Sequence, residues 1–365
     1  MKNIKYIIAI ASIIISTLSC EKSDTPDIPI PSSEVHNVYI CNEGNFMYGN
    51  ASLSLYNKEE KKVYNQIFYN TNNVPLGDVL QSMNIIDNRA FLVVNNSGKI
   101  QVIDSDSHKY VATITDLNSP RYIIDIDYNK AYVTDLYAPI IHIVDHKTYK
   151  KTGEIKVGRG TEAIVKHGDY AYVCSWSFSN MLYKIDTKKD IVVDSLVVTK
   201  QPNSLVIDKY NNLWVLSDGG YSGSPYGQER AALSKINLST FKIEHLHSFE
   251  SDSQSPTKLT SDGEGENLFF INGSWGESIQ NGGVYKVSNL NSSKPTLSML
   301  IPEDNRLFYG LGVDPDNSDI YISDAIDFQQ KGVVFRYSSS GVLKDHFYVD
   351  IIPGYFHFKR EAPGK

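Results

Sequence analysis

Four short apolar strands separated by polar turns recur about seven times along this chain, with a period of roughly 40–50 residues. One unit runs Ser204 to Ile207, Leu213 to Ser217, Leu233 to Asn237 and Ile243 to Phe249. Another runs Arg121 to Ile126, Lys130 to Asp135, Ile140 to Asp145 and Thr152 to Val157. Such a unit cannot bury its apolar faces alone. Repeating it radially predicts an all-β fold, a seven-bladed β-propeller of four-stranded antiparallel blades. Helical periodicity is nearly absent, and 24 Tyr and 14 Phe suit a strand-rich chain.

Inner strands are expected to begin near Gln81, Pro120, Thr161, Pro202, Pro256 and Tyr309, with a seventh at Pro353-Gly354-Tyr355-Phe356-His357-Phe358. No further blade follows that last strand. At the other end, Val38-Tyr39-Ile40-Cys41 aligns with second strands such as Ala171-Tyr172-Val173-Cys174, and no first strand precedes it. The C-terminal strand is therefore expected to complete the N-terminal blade, closing the ring and removing its exposed edges. The propeller is expected to span residues 36–358, with 359–365 as a short tail.

Residues 1–19 read as an export signal: Lys2 and Lys5 precede an apolar run from Ile7 to Ile15 that is too short for a spanning helix. Thr17-Leu18-Ser19-Cys20 resembles a bacterial lipobox, although Thr17 stands where Leu is usual, and predicts lipid on the Cys20 thiol. Residues 20–35 are polar, carry Pro26, Pro29 and Pro31, and read as a tether. Glu21, Asp24 and Asp27 lie close to the lipid site, as in surface-export signals of some Gram-negative lipoproteins. A formal net charge of −7 and a pI near 5.7 argue against nucleic acid as a partner. Cys41 and Cys174 occupy equivalent places three blades apart, which disfavours a disulfide.

The turns after first and third strands are short and rich in Asn, Asp and Gly, as hairpin turns require. The loops after second strands and between blades are longer and chemically richer, and long loops on a rigid scaffold are where function concentrates. Their aromatic candidates for ligand contact are Tyr48, Tyr137, Trp176, Phe178, Tyr221, Tyr226, Trp275, Phe308, Tyr309 and Phe328. The polar candidates are Asn95, Asn96, Arg121, Asp135, Asp218, Asp324 and Gln329. Aromatics beside amides and a few charges suit a large ligand with flat apolar surface and amide edges.

Several segments together resemble a known family. They are Asn42-Glu43-Gly44-Asn45, Ser52-Leu53-Ser54, Leu76-Gly77-Asp78 with Gln81-Ser82-Met83, Val93-Val94-Asn95-Asn96-Ser97, and Ser119-Pro120-Arg121-Tyr122. Tyr309-Gly310-Leu311-Gly312-Val313-Asp314-Pro315 and Tyr321-Ile322-Ser323-Asp324-Ala325 complete the set. The pattern resembles the YncE-like seven-bladed propeller lipoproteins of gut Gram-negative bacteria, which include surface proteins that capture cobalamin (vitamin B12). The resemblance implies a non-catalytic outer-membrane lipoprotein facing the cell exterior and held to the membrane by its lipid alone. It implies cobalamin or another corrinoid as a ligand, not a cofactor, and a TonB-dependent transporter as partner.

Two other readings stay open. Some propellers are metal-dependent lactonases or hydrolases. Asp135, Asp218 and Asp324 follow equivalent strands, so their carboxylates could converge near the axis, although an Asp there also caps its own turn. Trp176 and Trp275 could instead be stacking platforms for a glycan. No acid/base pair or nucleophile motif stands out, and no residue is assigned a catalytic or metal-ligating role. Asp262, Glu264 and Glu266, and separately Asp314, Asp316 and Asp319, are the acidic turns that could hold a weak surface calcium. His142 and His146 fall on a strand and its turn, so their spacing does not point to a metal site.

Overall fold

A computed structural model describes residues 37–273 and 282–360. The expected signal, Cys20, the tether, Trp275 and residues 361–365 lie outside the described residues. Seven four-stranded antiparallel sheets form the blades of a β-propeller. In blade 1 the order is Pro353–Phe358, Asn37–Asn42, Ser52–Asn57, Lys62–Tyr64, so the last strand of the chain is innermost beside the first. Its register pairs Val38 with Phe358, Ile40 with Phe356 and Cys41 with Tyr355. The ring closes as the strand count requires. Blades 2 to 7 follow in chain order, with first strands Leu80–Ile86, Pro120–Asp125, Ile164–His167, Pro202–Ile207, Thr257–Ser261 and Phe308–Val313. These first strands touch one another from blade to blade around the axis.

Burial follows position within the blade. The second strand of blade 5, Asn212–Ser217, is buried throughout. The fourth strand of blade 4, Ile191–Val197, is mostly exposed. The apolar core lies between neighbouring blades rather than at one centre. Leu213 and Val215 of blade 5 pack on Tyr172 and Cys174 of blade 4, and Trp214 and Leu216 pack towards Leu268 and Phe270 of blade 6. Alternation along one strand thus supplies both of its interfaces. Both Cys41 and Cys174 are free and buried.

The recurrent Asp or Asn that ends the third strand has a mechanical purpose. Asp104, Asp145, Asp186 and Asn237 each accept two backbone N–H groups two and three residues on, closing the turn to the fourth strand. Blade 1 departs from the repeat. Its fourth strand is three residues long and gives way to a helix, Ile67–Asn72, that buries Ile67 and Phe68. Asn72 ties this helix to blade 2 through Tyr110 N–H and the His108 carbonyl. The acidic turns at 262 and 314–319 are internally engaged. Asp262 accepts the Glu266 and Asn267 N–H groups, Asp314 pairs with Lys58 at 2.7 Å, and Asp319 holds Arg336 and Lys344.

Candidate functional site

The inner strands do not run regularly to their upper ends. Pairing with the second strand slips between Leu80 and Ser82, Pro120 and Ile123, Pro202 and Ser204, Thr257 and Thr260, and Phe308 and Leu311. In blade 1 Pro353 and Tyr355 are paired but Gly354 is not. A bulge leaves a residue out of the ladder and re-aims its side chain. The residues so released, with Glu162 at the same place in blade 4, are Gln81, Arg121, Glu162, Asn203, Lys258 and Tyr309, and all six line one cavity. Gly354 holds the seventh position and brings no side chain. A Cβ there would overlap the carboxylate of Glu43, which enters from the loop after Asn37–Asn42. Glu43 therefore takes the seat that Gly354 leaves empty, and the floor of the channel is a ring of unlike polar groups.

These groups satisfy one another. The Arg121 guanidinium donates to both Glu162 oxygens at 2.7 and 2.8 Å and to the Gln81 carbonyl at 2.5 Å. Such a bidentate pair is the geometry in which a recessed ion pair offsets its own desolvation. Tyr309 donates its hydroxyl to Glu43 at 3.0 Å. Lys258 donates to the Gly354 carbonyl at 2.9 Å, and its ammonium lies 5.5 Å from the centre of the Tyr309 ring. Burial raises the Glu43 carboxyl above its ordinary range, opposed by Lys258, Arg121 and Tyr309. Burial lowers the Lys258 ammonium, opposed by Glu43. The Tyr309 phenol is pushed up by burial and by Glu43. Two cations facing two acids leave the floor close to neutral.

The cavity, about 780 Å³, opens towards the long loops. Each of the seven loops after a second strand lends it a residue: Phe46, Asn95, Tyr137, Trp176, Asp218, Gly273 and Phe328. A second cavity of about 560 Å³ adjoins it over blades 3 to 6 and shares Tyr137, Trp176 and Asp218 with it. Trp176 is held in place at this junction, because its indole N–H donates to the Asp218 carboxylate at 2.7 Å. Burial pushes Asp218 up to about 6 despite hydrogen bonds from Trp176, Gly220 and Asn203.

Of the residues singled out from sequence, Asn95, Arg121, Phe308, Tyr309 and Phe328 line the channel cavity. Tyr137, Trp176 and Asp218 line both cavities, and Phe178 and Tyr221 line the second. Tyr48, Asn96, Tyr226 and Gln329 lie outside both; Tyr226 stacks on Phe178 at 5.0 Å and carries Arg159 on its other contact. Asp135 is fully buried. It accepts the Asn118 and Ser119 N–H groups and His142, and together these hold its carboxyl low although burial alone would raise it. Asp324 caps Leu307 and Ile326. The three equivalent aspartates thus do not converge, and the acids at the axis are Glu43 and Glu162. Sequence reading passed over Glu43, Gln81, Glu162, Asn203 and Lys258 as site residues. A signal existed, since Gln81, Arg121, Asn203, Lys258, Tyr309 and Gly354 each stand one residue after the start of an inner strand. Among the described residues no cluster of three or more His, Cys, Asp or Glu is placed to hold a metal ion.

Residues 36–356 match a family described as a domain of unknown function, DUF5074. No curated protein matches the chain significantly. Among solved structures, a protein from Lactobacillus plantarum is similar at 10% identity and TM-score 0.65, over 89% of this chain and 100% of that one. The periplasmic gluconolactonase PpgL of Pseudomonas aeruginosa is similar at 9% identity and TM-score 0.64, over 89% of this chain and 99% of that one. A quinonprotein alcohol dehydrogenase-like protein from Bacteroides thetaiotaomicron is similar at 13% identity and TM-score 0.60, over 88% of this chain and 78% of that one. At these identities the likeness is one of fold.

Proposed function

The chain belongs to the DUF5074 family, and we propose that this member is a non-catalytic binding protein for cobalamin or a related corrinoid. The observation that carries the reading is the site's division of labour. Seven loops surround a wide mouth, four of them with an aromatic ring (Phe46, Tyr137, Trp176 and Phe328), above a polar floor in which Arg121 is paired with Glu162 and Glu43 accepts the Tyr309 hydroxyl. Phe46 and Tyr137 on the rim of this mouth are 64% and 72% exposed, so their rings are open to a ligand. A corrin macrocycle is broad, apolar on its faces and fringed with amides, so it matches an aromatic rim over a floor of donors and acceptors whose charges balance. Rigid blades hold the loops in place before the ligand arrives, which reduces the ordering cost of binding.

The proposal includes a lipid on Cys20, a position on the outer surface of the outer membrane, and delivery to a TonB-dependent transporter. Its supports are the basic and apolar start of the chain, the cysteine after Ser19 and the Pro-containing tether. No helix among the described residues is long and apolar enough to cross a membrane.

One observation favours a hydrolase as the second reading. Glu43 and Lys258 have carboxyl and ammonium groups shifted towards neutrality at the floor of a concave site, as acid/base groups often are. Two assays separate the readings. Calorimetric titration of the full chain with cyanocobalamin should give saturable one-to-one binding at nanomolar concentration or tighter. Lactones and esters, with and without divalent cations, should not be turned over. Turnover without corrinoid binding would reverse the assignment.

A further inference from the structure

The two adjoining cavities differ in chemistry, and the difference bears on how a ligand lies across them. The channel cavity has a floor of paired ions and amides. No lysine or arginine among the described residues lines the second cavity. Its apolar walls are Leu136, Tyr137, Trp176, Phe178 and Tyr221, and Gln201, Gln228, small serines and the 252–255 segment add to the lining. Asp218, at the junction, has both oxygens occupied: Oδ2 accepts the Trp176 indole N–H and Oδ1 the Gly220 N–H. It therefore orients the indole instead of offering a free charge to a ligand. Gln228 is likewise engaged, donating to the Asp252 carbonyl. The largest side chains left facing the space are aromatic. Tyr221 is 50% exposed and Phe178 37%, and Phe178 is braced from behind by Tyr226.

We propose that this side cavity is a separate subsite for a planar, uncharged aromatic ring carried by the same ligand whose amide-rich part sits over the channel. A pocket without cations gives an anionic group nothing to pair with, and its two carboxylates already have partners: Asp218 holds Trp176 and Gly220, and Asp252 takes Arg230 at 3.3 Å. Flat aromatic walls favour a flat ring by stacking. The inference rests on the corrinoid reading and sharpens it. In a complete cobalamin the aromatic ring is the base of the nucleotide tail, and cobinamide is the same corrin without that base.

The test titrates cyanocobalamin and dicyanocobinamide separately into the full chain and into Tyr221→Ala. Tyr221 lines only the side cavity and its ring is half in water, so the variant should unfold at the temperature of the parent. The parent should bind cyanocobalamin about tenfold or more tighter than dicyanocobinamide, the worth of one stacked ring. Tyr221→Ala should remove most of that gap while leaving the cobinamide affinity unchanged. Equal affinity of the parent for the two probes, or an equal loss for both in the variant, overturns the subsite and leaves the corrinoid reading standing. Failure of the parent to bind either probe overturns the corrinoid reading and the subsite with it.

Discussion

Replacing Gly354 with alanine should expel Glu43 from its seat at the channel floor. The backbone at Gly354 lies outside the left-handed region, so alanine meets no conformational barrier there. On its own, the change would stabilise the fold by about 0.4–1 kcal/mol through the unfolded chain. The obstacle is the Glu43 side chain, whose Cδ would lie 3.0 Å from the new Cβ. Glu43 cannot retreat by moving its backbone, because its N–H donates to the Ile352 carbonyl at 2.8 Å and the next N–H donates to Ile351 at 3.0 Å. The carboxylate must swing away instead, losing the Tyr309 hydroxyl and the electrostatic support it gives Lys258. A hydrogen bond to a charged group contributes about 1.5–3 kcal/mol. A net destabilisation of about 0.5–2.5 kcal/mol is therefore expected after the unfolded-state gain is subtracted. Glu43→Ala should cost a similar amount by the same loss. On that background Gly354→Ala should be neutral or slightly stabilising, because the seat is vacant. Urea unfolding of the two single variants and the double variant gives the cycle, with the midpoint read at constant slope. A coupling of at least about 1 kcal/mol is expected. Strict additivity would refute the idea that one residue fills the space the other leaves.

Three further outcomes follow from the same geometry. Removing residues 353–365 takes away the innermost strand of blade 1 and uncovers Val38 and Ile40, so the whole ring should lose its cooperative melt. Phe356→Ala alone should cost about 3–5 kcal/mol, and an unchanged melting temperature for either would contradict the closure. Asp218 titrates at about 6 in the fold, above its ordinary 3.8. Its contribution to stability should be complete below about pH 4 and lost as pH rises through 6, by about 3 kcal/mol in all. Asp218→Asn should lack that part of the pH dependence, and superimposable stability profiles from pH 4 to 7.5 would count against the buried carboxylate. Cys20→Ser should abolish incorporation of labelled fatty acid into the chain; undiminished labelling would rule out Cys20 as the acylated residue.

The ring was legible because the signals that define it are local. The continuous apolar runs in Asn212–Ser217 and Leu268–Asn272 mark strands buried on both faces, and Asn-, Asp- and Gly-containing turns state where each strand stops. Inner strands expected from Thr161 and Pro256 begin at Ile164 and Thr257. The helix after the fourth strand of blade 1 has no signature in the sequence, since six residues with two buried side chains carry too little period to read. The floor of the site was hidden for a different reason. Nothing in the run Asn42-Glu43-Gly44 reveals that its carboxylate crosses to Gly354, more than three hundred residues away in sequence. The aspartates at 135, 218 and 324 look alike in sequence but face different neighbours. His142 draws Asp135 into its own blade, whereas the indole of Trp176 holds Asp218 at the cavity. Local pattern sets the strands; the contacts made around the ring set the site.

The central claim, a corrinoid seated in the mouth of the propeller, is reached most directly by anomalous diffraction from cobalt in crystals of the full chain grown with cyanocobalamin. The account predicts one cobalt peak over the channel, among the loops that carry Phe46, Tyr137, Trp176 and Phe328. A peak at the opposite end, beside short turns such as Asp87-Asn88 and Tyr128-Asn129, or no peak at all, would contradict it.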